Sequence, residues 1–144
     1  MVHALTQAHR VLTPQGLLLD LRPNRDPGGR RAKLLDTYVV TQRAEYEVGA
    51  AVETSSYYAD FVAADRAVER AIRRQLFSLS AAEIFRLRWY FRTLGILEET
   101  LAKDWTGTRL PVPVRRRLKG LLDRHPHAQI AIAETFRLNV LRKR

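Results

Sequence analysis

"AHRVLTPQGLLLDLRP", residues 8–23, decides how the rest of the chain is read. Leu5, Ala8 and Leu12, with Ala4 and Val11 beside them, recur at helical spacing, so residues 2–12 are predicted to form a helix. Thr13 precedes Pro14, which biases it away from helical geometry, and Gly16 completes a tight turn. Leu17–Leu21 is then nearly all apolar and bounded by turn signals, the pattern of a strand buried on both faces. Helix, turn and buried strand form the repeating unit of a parallel α/β sheet.

Outward from there, "RPNRDPGGRR" (residues 22–31) is a loop by composition. Residues 33–40 and 43–49 flank Thr41-Gln42, and Ala44, Tyr46 and Val48 alternate against Glu45 and Glu47, which predicts an antiparallel pair. A longer helix starts at Ser55 or Ser56 under a serine cap, with Phe61, Val68, Ile72 and Leu76 as its apolar stripe. Arg66, Arg70 and Arg74 line another face, where like charges four apart cost a few tenths of a kcal/mol per pair. That row reads as a solvated face.

"EIFRLRWYFR" (residues 83–92) is the clearest alternation, with Phe85, Leu87, Trp89 and Phe91 on one side and Arg86, Arg88, Tyr90 and Arg92 on the other. Ser80-x-x-Glu83 matches a helix capping box, but the alternating aromatics favour a strand. Such a strand either stacks the bases of a single-stranded nucleic acid or, more commonly, is half-buried with a wet polar face. Thr93 then caps a helix carrying Leu94, Leu97 and Leu101, with Glu99 and Lys103 four apart. Pro111 and Pro113 introduce a second helix with Val114, Leu118 and Leu121 or Leu122 inside and Arg115, Arg116, Arg117 and Lys119 outside. The ending, "HAQIAIAETFRLNVLRKR", holds two apolar alternations, Ile130 with Ile132 and then Phe136, Leu138 and Val140, and predicts a terminal β-hairpin.

A length of 144 residues suits a single domain, 1–144. The chain has no cysteine, which excludes disulfides, thiolate nucleophiles and Cys-based metal sites. No apolar run approaches the ~20 residues of a membrane span, and the start lacks the order of a signal peptide, so the expected location is cytoplasmic. The net charge of +10 is uneven. Residues 105–144 hold 10 Lys+Arg against 2 Asp+Glu, and residues 1–104 hold 15 against 13. The basic end is either a solvated face or an electrostatic attractor for phosphates.

The helix "HALTQAHRVL", the turn Pro14-Gln15-Gly16 and the apolar strand together resemble the late motif of class I S-adenosylmethionine-dependent methyltransferases, around the fifth strand of their sheet. The likeness covers residues 3–23 and is only architectural beyond. Gln15 stands where the family usually has a second glycine. The resemblance implies an α/β fold with a small mixed sheet and flanking helices, the C-terminal half of a Rossmann-like fold, closed by a β-hairpin. The family's cofactor site needs a glycine-rich turn, where backbone must approach the ligand closely. None of the seven glycines forms G-x-G, and no residue can be matched to that site. The expectation is therefore no S-adenosylmethionine bound by this chain alone, unless a partner supplies the other half.

Other chemistry is thin. His125 and His127 flank a proline, and two imidazoles without a third ligand read as a polar turn. His3 and His9 are six apart and do not share a helix face. Asp20 ends the apolar strand, where α/β folds often place functional groups, or it is paired locally with Arg22. No P-loop, Ser-His-Asp or zinc-protease signature is present. No catalytic, cofactor or metal residue is assigned. The expected function is that of a non-autonomous, methyltransferase-derived protein acting through a homodimer or a partner subunit, through apolar surface left by a missing half. The alternatives are a nucleic-acid-binding module using Arg115, Arg116, Arg117 and Lys119, and the C-terminal part of an active methyltransferase. Residues 33–49 folding back onto 17–21 would remove the need for a partner.

Overall fold

The computed structural model describes residues 2–24 and 33–144; the side chains of residues 2, 33 and 55–59 fall outside the description. The elements are α1 (Val2–Val11), β1 (Leu17–Pro23), β2 (Lys33–Val40), β3 (Glu45–Glu53), α2 (Ser55–Arg73), β4 (Phe77–Phe91), α3 (Leu94–Lys103), β5 (Thr108–Arg109), α4 (Val112–Arg124) and β6 (Gln129–Lys143). The fold is α/β, as expected. Its six strands follow the order β1-β6-β2-β3-β5, with β4 also paired to β6. By contact the chain divides into two compact units. One comprises Met1–Arg25, Ala59–Phe85 and Thr135–Arg144, and the other Asp26–Tyr58 and Arg86–Glu134. The loop expected over 22–31 and the serine cap of α2 lie largely outside the described residues.

In the first unit, Leu5, Leu12, Ala67, Val68, Ala71, Ile72 and Leu76 of the helical segments pack on Leu18, Phe77 and Leu141 of the strands. Alanines at 64, 67 and 71 are all buried and let α2 lie close to its neighbours. Gln15 ends the α1 turn in the left-handed region, at φ 62°, and the Gly16 N–H donates to the Thr13 carbonyl at 2.9 Å. Beneath α2 lies a polar cluster. Arg22 Nη2 and Asn139 Nδ2 both donate to Asp20 Oδ2, at 2.9 and 2.8 Å, and Arg22 Nη1 lies 3.0 Å from Asp65 Oδ1. The side chains of Asp20 and Arg22 are 8% and 13% exposed, so this is a nearly buried ion pair, with Arg22 Nε 2.8 Å from Asp20 Oδ1.

Two expectations for this unit are corrected. The strand at Leu17–Leu21 is neither parallel nor buried on both faces. It runs antiparallel to β6, Leu17 opposite Arg142 through Pro23 opposite Phe136. Leu18 turns toward the helices, while Leu17, Leu19 and Leu21 remain 48%, 64% and 52% exposed. An unbroken apolar run looks the same whether helices cover one face or two, and here they cover one. The terminal hairpin is also absent, because residues 129–143 form a single strand. No Gly, Pro or Asn interrupts "AETF" (residues 133–136), so nothing there can reverse the chain. The two alternations mark a change in which residues are covered: Ile130 and Ile132 in one unit, Asn139 and Leu141 in the other. Residues 33–49 do not pair with β1; β2 pairs with β3 and β6.

The second unit holds the larger core. Leu97 and Leu101 of α3 and Val114, Leu118 and Leu121 of α4 pack on Leu35, Val39, Val48, Phe91, Ile130 and Ile132. Trp105 meets Trp89 and Phe91 edge-on, with centroids 5.2 and 6.0 Å away. Thr93 caps α3 by accepting from the Ile96 N–H at 3.2 Å, and Lys103 donates to Glu99 at 2.6 Å, both as predicted. The β2–β3 pair carries a bulge between Thr37 and Tyr38, opposite Val48 and Gly49. Buried Thr37 repairs the ladder there, its hydroxyl accepting from the Ala51 N–H at 3.2 Å and donating to the Leu35 carbonyl at 3.1 Å. Gly49 adopts φ +126°, and a Cβ at that position would lie 2.8 Å from Val114 Cγ2.

Three substitutions test this packing by thermal or urea denaturation. Gly49→Ala combines a disfavoured backbone with overlap against α4 and is expected to cost about 2–4 kcal/mol. Gln15→Gly relieves a left-handed residue at the end of a helix and is expected to stabilise by about 0.5–1 kcal/mol. Asp20→Ala leaves Asn139 without its acceptor and Arg22 with Asp65 alone beneath α2, and is expected to cost about 2–3 kcal/mol. A neutral Gly49→Ala would mean that the bulge and α4 are not in contact.

Candidate functional site

A cavity of about 510 Å³ lies in the second unit between the β2–β3 turn and the segment joining α4 to β6. The turn is built by Thr41. Its hydroxyl accepts from the Arg43 and Ala44 N–H groups and donates to the Ala44 carbonyl, so a four-residue reversal is held without glycine. This places Arg43 at the cavity wall, with Tyr46 two residues into β3's register.

The opposite wall is the end of α4. The His125 N–H donates to the Leu121 and Leu122 carbonyls at 2.9 and 3.2 Å, and its own carbonyl accepts from the Ala128 N–H at 2.9 Å. This closes a tight turn through Pro126 and His127. The ring of His125 stacks on Tyr46, with centroids 5.3 Å apart and planes 19° from parallel. Arg124, also on the lining, is anchored through Nε, which donates to the Gly120 carbonyl at 2.9 Å.

Arg43, Arg124, His125 and His127 thus converge on one space, and no carboxylate is among its lining residues. Such a surface attracts anions. His125 and His127, considered above only as a metal pair or a polar turn, acquire two arginine neighbours. Among the described residues no group of three or more His, Asp or Glu side chains is placed to hold a metal. The sequence pointed here only through "HPH". Arg43 and Tyr46 are some eighty residues distant, and nothing in a local window couples them to it.

The other candidates fall elsewhere. Arg115, Arg116, Arg117 and Lys119 are exposed on α4, and Arg115 is bonded to Glu98, which raises its pKa. The arginines of β4 are neutralised on their own face: Arg86 bonds Asp36, and Arg88 bonds Glu45 at 2.6 Å and lies over the Tyr38 ring at 5.1 Å. The hydrogen bond from Arg88 holds Glu45 below the ordinary carboxylate range and raises Arg88 in return. These pairs are exposed and contribute little to stability. They also leave that strand no net charge to offer a phosphate backbone. Asp20 is paired with Arg22 and is held by Asn139, the local arrangement weighed above.

One apolar surface stands out in the first unit. Leu17, Leu19 and Leu21 project from the face of β1 that the helices leave open, and their register partners on β6 are Arg142, which is exposed, and Val140 and Leu138, which are partly exposed. Phe136 and Phe85 stack at 6.4 Å at one end of it. No helix in the described residues is long and apolar enough to cross a membrane. No protein-family model, curated protein or solved structure matches the chain.

Proposed function

We propose that this protein works by association, and that the leucine face of β1 and β6 is its interface, occupied by a second copy of the chain. The observation that carries the proposal is the exposure of Leu17, Leu19 and Leu21, three large apolar side chains in a row on one open sheet face. A contiguous apolar patch of this kind is uncommon on a protein that stays alone. Among the described residues β1 also has β6 as its only strand partner, so the patch lies beside an open strand edge.

A second copy is favoured by the chemistry of the patch. The leucines recur at alternate positions about Leu19, so a two-fold axis there sets Leu17 against Leu21 of the other copy. Two such faces pack about 10 Å apart with interdigitating side chains, as in a β-sandwich. The leucine row itself is uncharged, and the charge beside it, Arg142 opposite Leu17, lies at one end of the face. Descent from a methyltransferase half forms no part of the proposal, which rests on the leucine face. A nucleic-acid role for the α4 patch forms no part of the proposal; of its four basic residues, Arg115 is bonded to Glu98.

Light scattering at high micromolar concentration is expected to give twice the 16.6 kDa chain mass. Leu19→Glu, which places a carboxylate at the centre of the face, is expected to weaken the dimer about 100-fold, or ~3 kcal/mol, with an unchanged circular dichroism spectrum. A wild-type protein that remains monomeric at those concentrations, or a Leu19→Glu dimer of undiminished strength, sinks the reading.

A further inference from the structure

We propose that the cavity between the β2–β3 turn and the end of α4 binds a free nucleoside phosphate. Arg43 and Arg124 take the phosphate, and the Tyr46–His125 ring pair supports the base. This site is independent of the leucine face.

The charge comes first. A helix C-terminus carries roughly half a negative charge, and Arg124 with His125 in the last turn of α4 is the ordinary compensation for it. Arg43 is not explained that way. It belongs to the β2–β3 turn and brings a second permanent positive charge to the same space, where the lining residues include no carboxylate. Two guanidinium groups exceed what the helix end requires. Arg22, Arg86, Arg88 and Arg115 have carboxylate partners, while Arg116 and Arg117, like Arg43 and Arg124, have none among the described residues, so it is the shared concave space that sets Arg43 and Arg124 apart. Among the described residues Arg43 and Arg124 form no ion pair, so the balancing charge must come from solution.

Size and shape narrow the ligand. A volume of about 510 Å³ is in the range of small-molecule sites, roughly 300–1,000 Å³, and much larger than a bare phosphate requires. Tyr46 and His125 lie in the lining stacked on each other, so each has one face already covered, and a planar group would stack on the outer face of the pair, beside Pro126. Flat rings stack on such a face whatever their substituents. An anion joined to a planar heterocycle satisfies both halves of the cavity. Neither phosphate nor a nucleoside does so alone.

Isothermal titration of the full chain at low salt with ADP, adenosine and inorganic phosphate is the test. ADP is expected to bind at least ~10-fold more tightly than either fragment, since each contributes only part of the contact. Arg43→Gln and Arg124→Gln are each expected to weaken ADP about 10-fold by removing a charge-assisted hydrogen bond. Both side chains are exposed, so circular dichroism is expected to be unchanged. Tyr46→Leu is expected to abolish the advantage of ADP over phosphate. The proposal is overturned by the absence of binding at millimolar ADP, by ADP affinity that survives the double Arg43→Gln/Arg124→Gln change, or by phosphate binding as tightly as ADP. A single-stranded oligonucleotide that displaces ADP at lower concentration also overturns it, identifying the occupant as a strand.

Discussion

The backbone ladder of β6 is the constraint on which both cores depend. Residues 136–142 pair with β1, and residues 129–133 pair with β2, all antiparallel. Fifteen residues therefore supply the platform for two separate apolar clusters, one around Phe77 and Leu141 and one around Leu118, Ile130 and Ile132. A strand that served both ends must change which of its residues are covered. It does so without a turn, because the helices that do the covering come from different parts of the chain. Buried Asn139 is tolerated at one end only because Asp20 accepts from it. The buried alanines 131 and 133 sit at the other end, opposite Tyr38 and Asp36.

Charge is distributed by the same logic. Arg22, nearly buried beneath α2, is matched to Asp20 and Asp65, because unpaired charge is costly wherever water is restricted. Unmatched arginines are left on exposed turns and helix faces, where solvation is cheap. Arg43 and Arg124 belong to the exposed class by accessibility but share one concave space. That combination, rather than the net charge of the chain, distinguishes the cavity from the basic stripe on α4. The leucine face of β1 is the apolar counterpart. Its side chains are ordinary strand residues, and they matter because no helix in the described residues covers them.

The sequence by itself determined the elements whose signals are local. The Thr93 cap, the Glu99–Lys103 pair, the proline entry to α4 and the alternation of β4 each depend on residues a few positions apart, and the structure contains all four. The same holds for the β2–β3 pair around Thr41. Asp20 was legible in part: its arginine partner is two residues away, but Asn139 and Asp65 are not.

What only the tertiary structure decided was coverage and company. A run such as Leu17–Leu21 encodes apolarity, not the number of helices that will lie on it, so one face or two cannot be read from the letters. The change of covered residues along β6 mimicked a hairpin because local periodicity registers what is buried and not by which neighbour. The cavity joins a turn at Thr41–Ala44 to another at His125–Ala128, brought together because β2 pairs with β6, Val40 opposite Gln129. Strand pairing across ninety residues is a property of the whole ladder's free energy, shared among many weak contacts, and no single window of sequence contains it.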